Sequence, residues 1–313
     1  MDLLLVAVGI AFLYAGGEAL VRGSVQLARS FGLSPLVIGL TVVSFGTSTP
    51  ELASTLAATL EDAPAVAFGN VVGSNIANIG LILGVTALIW PLATQARFLR
   101  REVPFMLAAS GLLFPIASDG RVGRVEGLFL FVLLLVFLAY LLWGVRDAKP
   151  ETREEFETEY GKSKRGPWIG VALVLLGLVL LFAGAEALIQ GGLSIARKFG
   201  ISERVIGLSL VALGTSLPEL AASIVAALKK EGDIVLGNLI GSNVFNVLCI
   251  LGVTAVVRPV ELDWLSSWPD LVVMLALSAL IWPFLATRLK LERWEGFLLL
   301  GGYVVYMALL FGP

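Results

Sequence analysis

Residues 46–84 read GTSTPELASTLAATLEDAPAVAFGNVVGSNIANIGLILG, and residues 214–252 read GTSLPELAASIVAALKKEGDIVLGNLIGSNVFNVLCILG. Laid against each other without a gap, at an offset of 168, the two segments agree at 18 of 39 positions. Two unrelated apolar helices would agree at Leu, Ala and Val. Here the agreement includes Thr, Ser, Pro, Glu, Asn and Gly, among them the polar residues that hydrocarbon disfavours. The offset extends upstream, where Ala15-Gly16-Gly17-Glu18 stands against Ala183-Gly184-Ala185-Glu186. A repeat of this kind sets the architecture before any single element is assigned.

The surroundings of both copies are apolar. The 313 residues are 58% hydrophobic and 15% charged, with a mean hydropathy of +0.92, too little polar surface to cover a soluble core of this size. Stretches long enough to cross a bilayer recur along the chain at about 3–29, 35–61, 66–92, 102–118, 123–145, 168–196, 203–229, 233–258, 268–285 and 293–311. The expected fold is therefore an all-α polytopic membrane protein of ten transmembrane helices. Several stretches exceed the bilayer thickness and carry Gly, Pro and polar residues, which predicts tilted or broken helices. Each half holds five spans, and because five is odd the second copy enters the membrane from the opposite side: two inverted five-helix repeats, 1–145 and 168–313. The charged segment 146–167 between them is too short for a folded domain and is expected to be a solvated linker.

Lys and Arg divide unevenly between alternate loops. Fifteen fall on the side that includes 146–165 and six on the other, with Arg22 inside the first span. By the positive-inside rule, both termini are expected outside and the linker in the cytoplasm of a cell-membrane protein. The first span begins almost at Met1, lacks a basic leader and is too long for a signal core, so it is expected to remain in the mature chain. The formal charge of −2 offers nothing to nucleic acid. The single cysteine, Cys249, rules out an intrachain disulfide or thiolate cluster, and the absence of histidine removes imidazole catalysis and HExxH zinc chemistry.

The repeated polar residues carry the chemistry. Pro50 and Pro218 interrupt apolar helices, since proline lacks an amide hydrogen and clashes with the carbonyl four residues back. Carbonyls near Ser44 and Phe45, and the hydroxyls of Thr47 and Ser48, are then expected to be hard oxygen ligands beside Glu51. Thr215, Ser216 and Glu219 repeat the set, with Ala212 at the position of Ser44. On the next span, Ser74 and Asn78 share one helical face, as do Ser242 and Asn246, while Gly73 and Gly241 allow close helix approach. Oxygen ligands without sulfur or imidazole suit a hard cation, and Ca²⁺ takes six to eight of them. A carboxylate at bilayer depth costs at least about 2.5 kcal/mol, so two facing each other favour an occupied site, by one Ca²⁺, several Na⁺ or protons. That energetic bias is the basis of exchange rather than leak, and transporters with inverted repeats place their substrate at the midplane where the repeats meet.

The paired GTS-x-PE and GN-x-x-GSN-x-x-N motifs resemble the alpha repeats of the cation/calcium antiporter superfamily, most closely its sodium/calcium exchanger branch of prokaryotic type. The resemblance spans the whole topology and is strongest over 35–92 and 203–258. It implies that Glu51 and Glu219 hold Ca²⁺ with backbone oxygens of Thr47 and Thr215. It also implies flanking Na⁺ sites, one at Ser48, Ser242, Glu51 and the Ser44 carbonyl, the other at Ser216, Ser74, Glu219 and the Ala212 carbonyl. Members typically exchange three Na⁺ for one Ca²⁺, sliding their first and sixth helices across the rest. Here both Asn78 and Asn246 are amides where many exchangers carry one Asp, so a possible third carboxylate is missing and the driving ion, stoichiometry and charge movement stay open. Potassium dependence is disfavoured by the same neutral amides, and the large regulatory domain of the animal proteins is absent.

Plainer roles stand beside these. Glu51 and Glu219 could be packed, protonated carboxyls, and Asn75, Asn78, Asn243 and Asn246 could simply bond neighbouring helices. Asn70 and Asn238 fit capping better than ion binding, Glu18 with Arg22 four residues on fits a local pair, and Trp90, Trp143 and Trp168 fit interfacial anchors. Competing functions are a proton-driven calcium exchanger with the same site, a channel, and a membrane hydrolase. Channels usually build their selectivity from symmetric subunits, and a hydrolase lacks histidine and paired intramembrane Asp. The expected protein is not an enzyme, needs no cofactor, has Ca²⁺, Na⁺ or H⁺ and the lipid bilayer as its partners, and works as a monomer.

Overall fold

The computed structural model describes residues 2–146, 166–199 and 214–311. The chain begins with α1 (Asp2–Phe31), which Gly32 ends in the left-handed conformation (φ 64°) while the Leu33 amide closes the turn on Ala28 O at 2.9 Å. Short α2 (Pro35–Ile38) starts on the Ser34 hydroxyl and runs through a π-turn (Gly39–Val43) into α3 (Ser44–Thr47) and then α4 (Thr49–Leu60). Next comes one long span composed of α5 (Pro64–Ala77), a second π-turn (Asn78–Leu83) and α6 (Gly84–Ile89). Strand β1 (Leu92–Ala93), helix α7 (Ala96–Ala117), strand β2 (Arg121–Val122) and helix α8 (Arg124–Arg146) complete the first half.

Among the described residues, the second half follows the same order. Helix α9 (Pro167–Lys198) corresponds to α1, and α10 (Leu217–Leu228) to α4. Helix α11 (Gly232–Phe245), a π-turn (Asn246–Leu251) and α12 (Gly252–Val257) repeat the long span, each boundary displaced by 168. Strand β3 (Val260–Glu261), helix α13 (Trp264–Arg288), strand β4 (Lys290–Leu291) and helix α14 (Arg293–Phe311) close the chain.

Six of these helical spans among the described residues are long and apolar enough to cross a membrane, and the bent pair Pro35–Thr47 and Thr49–Leu60 makes a seventh. That is fewer than the ten stretches read from sequence, for physical reasons. The first two turns of α7 carry Arg97, Arg100, Arg101 and Glu102, which spoil its hydropathy. Of 203–229, residues 203–213 lie outside the described residues. The stretch 293–311 is helical as expected, with Arg293 and Glu295 in its first turn lowering its hydropathy.

Two spans are innermost: α5 to α6 and α11 to α12 have most of their residues buried, whereas the other spans expose apolar faces. Around them α1 and α9 pair along their whole length, and glycine makes the pairing possible. Gly9, Gly16 and Gly23 recur every seven residues on α1; Gly170, Gly177, Gly184 and Gly191 do so on α9. A methyl group added at Gly16 would lie 2.7 Å from Leu181 N, and one at Gly177 2.6 Å from Leu20 N. Contacts progress from Gly9 beside Gly184 to Gly23 beside Gly170, so the helices run antiparallel with backbone against backbone.

Small devices tie the ends. Strand β1 pairs with β4 and β2 with β3, both antiparallel, each joining a loop of one half to a loop of the other. Asp62 and Lys230, 168 apart and both left-handed (φ 60° and 64°), cap α4 and α10. Asp62 forms an ion pair with Arg258, while the Lys230 ammonium sits 4.5 Å above the Trp90 ring. Trp90 and Arg258 are again 168 apart. One position in each half therefore meets the same partner position in the other through different chemistry.

Candidate cation site

The GTS-x-PE segment lies at the break between α3 and α4. Ser48 leaves the helical region (φ −82°, ψ 7°), and the chain bends by 42° there. Ser216 adopts nearly the same angles (φ −91°, ψ 4°) before α10. Pro50 brings no amide to Gly46 O. The expected release of the Ser44 carbonyl does not occur: Ser44 O accepts from the Ser48 amide at 3.0 Å, because that donor precedes the proline, while Phe45 O accepts from a side chain, the Thr49 hydroxyl, at 3.0 Å. A carbonyl oxygen has two lone pairs, so Ser44 O keeps one acceptor position.

The acidic residues that follow the prolines are brought together from opposite halves. Glu51 is 3% exposed and Glu219 1%, and their carboxyl groups interact electrostatically. Each is held by the other half's serine: Ser48 Oγ donates to Glu219 Oε1 at 3.2 Å, and Ser216 Oγ donates to Glu51 Oε1 at 3.1 Å. The second carboxyl oxygens, Glu51 Oε2 and Glu219 Oε2, are buried with no hydrogen-bond partner among the described residues.

The innermost spans supply the rest of the polar layer. The π-turns begin at Asn78 and Asn246; α10 packs on the first and α4 on the second. A π-turn widens the helix locally and is frequent at functional sites. Asn78 Nδ2 donates to Asn243 Oδ1 at 3.0 Å and Asn246 Nδ2 to Asn75 Oδ1 at 2.9 Å. Asn78 Oδ1, Asn246 Oδ1, Ser242 Oγ and Thr215 Oγ1 are buried without a partner among the described residues. Ser74 is buried on the same span as Asn78. Ala212 lies outside the described residues.

Other candidates have structural employment. The Thr47 hydroxyl lies 3.1 Å from Val43 O and 3.2 Å from Asn238 Oδ1, which leaves its backbone carbonyl as the ligand expected of it. Asn70 Nδ2 donates to Thr55 Oγ1 at 2.8 Å and Asn238 Nδ2 to Ser223 Oγ at 3.2 Å, stitching α5 to α4 and α11 to α10. Glu18 pairs with Arg22 as its spacing predicts, and with Lys229 at 2.8 Å. Sequence reasoning missed Glu102, which is buried with Oε2 unpartnered among the described residues, and Asp270, 168 further on, which accepts from Tyr306 OH at 3.0 Å. It also missed Met106 and Met274, again 168 apart. Carrying the offset beyond the long motifs would have found all four.

Unpaired buried oxygen is expensive in a protein interior, and the six such oxygens of this polar layer, on Glu51, Glu219, Asn78, Asn246, Ser242 and Thr215, are carboxyl, amide and hydroxyl only. This is the donor chemistry of a hard cation. With one carboxyl group and one amide contributed by each half inside an apolar bundle, it defines an integral, multi-pass membrane protein with a polar, ion-compatible centre.

Comparison with known proteins supplies the family. The profile of the sodium/calcium exchanger protein family matches residues 1–143 and 169–312, and the chain belongs to that family. It is 34% identical to the sodium/calcium exchanger MaX1 of Methanosarcina acetivorans over 99% of both chains. It is 38% identical to the inner membrane protein YrbG of Escherichia coli K12, with 98% of this chain and 96% of that protein covered. Among solved structures, the sodium-calcium exchanger NCX_Mj without Na⁺ and Ca²⁺ superposes with a TM-score of 0.85 at 33% identity, over 99% of this chain and 98% of that one. The protein is a membrane cation antiporter and not an enzyme, and its family moves Ca²⁺ and Na⁺ without a cofactor.

Proposed function

We propose that the protein exchanges Ca²⁺ for Na⁺ across a membrane by alternating access, with Ca²⁺ held between Glu51 and Glu219. The observation that carries this reading is the crossed serine-to-glutamate pairing, which leaves one oxygen of each carboxyl group buried and unpaired in a shared centre. Two negative charges match one Ca²⁺. Backbone oxygens of Thr47 and Thr215 complete that site. Ser48, Ser242, Glu51 and the Ser44 carbonyl serve Na⁺ on one side, Ser216, Ser74, Glu219 and the Ala212 carbonyl serve it on the other, and Asn78 and Asn246 are further cation ligands.

The architecture proposed with it is ten transmembrane helices in two inverted five-helix repeats, 1–145 and 168–313, joined by the 146–167 linker. Two observations support the inversion: the antiparallel packing of α1 on α9, and the ladders β1–β4 and β2–β3, which the 168-residue offset maps onto each other although the first joins loops assigned to the cytoplasmic face and the second loops assigned to the outer face. The linker faces the cytoplasm and both termini face outward, in the cell membrane, and the monomer is the working unit.

Proton-driven exchange is the second reading. One observation favours it: both π-turns start on Asn, so the centre holds two carboxyl groups, which two protons neutralise as well as one Ca²⁺ does. Uptake of radiolabelled Ca²⁺ into proteoliposomes separates the readings. An outward Na⁺ gradient is expected to drive uptake, and an imposed pH gradient in Na⁺-free buffer is not. Uptake that follows the pH gradient alone would replace Na⁺ with H⁺, and uptake that needs no counter-ion would make the protein a channel.

A further inference from the structure

We infer that Asn75 and Asn243 are positioning residues, which turn the carbonyl ends of Asn246 and Asn78 toward the cations. An asparagine amide has two ends of nearly equal size, one accepting and one donating, and only the oxygen can bind a cation. Something must therefore decide which end faces the site. The hydrogen bonds decide it in two steps that start from backbone. Asn243 Nδ2 lies 3.4 Å from Asn75 O, a carbonyl that can only accept, and 3.8 Å from Met106 Sδ. The other end of Asn243, Oδ1, then faces Asn78 and accepts its Nδ2 at 3.0 Å. Asn78 is left with its oxygen on the opposite side, buried and without a partner among the described residues.

The mirror chain is complete. Asn75 Nδ2 lies 3.4 Å from Asn243 O and 3.5 Å from Met274 Sδ, and Asn75 Oδ1 accepts from Asn246 Nδ2 at 2.9 Å, leaving Asn246 Oδ1 unpartnered. Asn75 and Asn243 are themselves fully buried, and Met106 and Met274 stand 168 apart. Each half thus anchors the ligand of the other, with thioethers, weak acceptors, closing the ring at its far ends.

The inference rests on Asn78 and Asn246 being cation ligands, and its test separates the two. A carboxylate presents oxygen whichever way it turns, so an Asp at position 78 needs no orienting partner; it also meets the Asn243 oxygen acceptor to acceptor. In proteoliposomes, Asn243→Ala is expected to raise the apparent KM for Ca²⁺ about 10-fold or more, the usual effect of removing a group that orients a metal ligand, with maximal rate and folded yield little changed. In an Asn78→Asp background the same change is expected to raise KM less than about twofold, or to lower it. The mirror cycle, Asn75→Ala with and without Asn246→Asp, gives an independent repeat should one variant fail to fold. Equal losses in both backgrounds would reduce the ring to packing and overturn the inference. Unchanged ion dependence in Asn78→Ala and Asn246→Ala would instead overturn the ligand reading beneath it.

Discussion

Replacing Glu51 or Glu219 by Gln is expected to abolish Ca²⁺ exchange while leaving a folded, monodisperse protein. Gln keeps the size of Glu and one carbonyl oxygen, so the donated bond from Ser216 or Ser48 survives. What is lost is charge: the site drops from two negative charges to one, and a divalent cation in a low-dielectric centre is left uncompensated. The fold should tolerate the change, because a neutral amide is cheaper to bury than a carboxylate. Flux should fall below detection, at least about 100-fold, equivalent to roughly 2.7 kcal/mol. Transport assays paired with thermal unfolding check both halves of the expectation. Wild-type flux in both variants would dispose of the site, and loss of folding would make the carboxyl groups structural.

The second large effect is expected far from the polar centre. A side chain at Gly177 would start 2.6 Å from Leu20 N and 2.8 Å from Gly16 O, and neither atom can move without displacing α1. Overpacking ordinarily costs about 1–3 kcal/mol even where flexible side chains give way. Here backbone would have to give way along a contact that α1 and α9 share over seven glycines, so Gly177→Val should lower the unfolding temperature in detergent sharply and reduce the yield of intact protein. Gly69 and Gly301 have no atom within 4 Å of an added methyl. Alanine at those positions should be neutral or slightly favourable through helix propensity, which separates close approach from a general dislike of lost glycine. Equal behaviour of Gly177→Val and Gly301→Ala would remove the tight pairing from the account.

Much of this was legible in the sequence because lipid makes polar residues informative. Glu51, Glu219, Ser48, Ser216, Asn78 and Asn246 stand out against an apolar background, and their duplication at one offset pairs them before any coordinates are known. The crossing of the pairs was not legible. Nothing in the order of residues says that Ser48 serves Glu219 rather than its own neighbour Glu51; that follows only from how α4 and α10 meet. The π-turns at Asn78 and Asn246 were equally hidden, since the step from an i+4 to an i+5 bond has no residue signature. The Ser44 carbonyl was expected to be freed because proline was credited with disturbing several residues, whereas its missing amide concerns the carbonyl four positions back and no other. Span counting suffered from the opposite fault, as charges at the start of α7 pull its hydropathy below that of its neighbours.

The crossed serine-to-glutamate bonds have an evolutionary corollary. Neither half of the chain owns a finished centre, for the hydroxyl that steadies each acid is encoded in the other. Under the proposed inverted topology, a free-standing ancestor of half the length would build the same arrangement only from two copies inserted in opposite orientations. Tandem fusion would make that opposed insertion obligatory, and from then on the twins could diverge, as Asp62 against Lys230 and Trp90 against Arg258 have done.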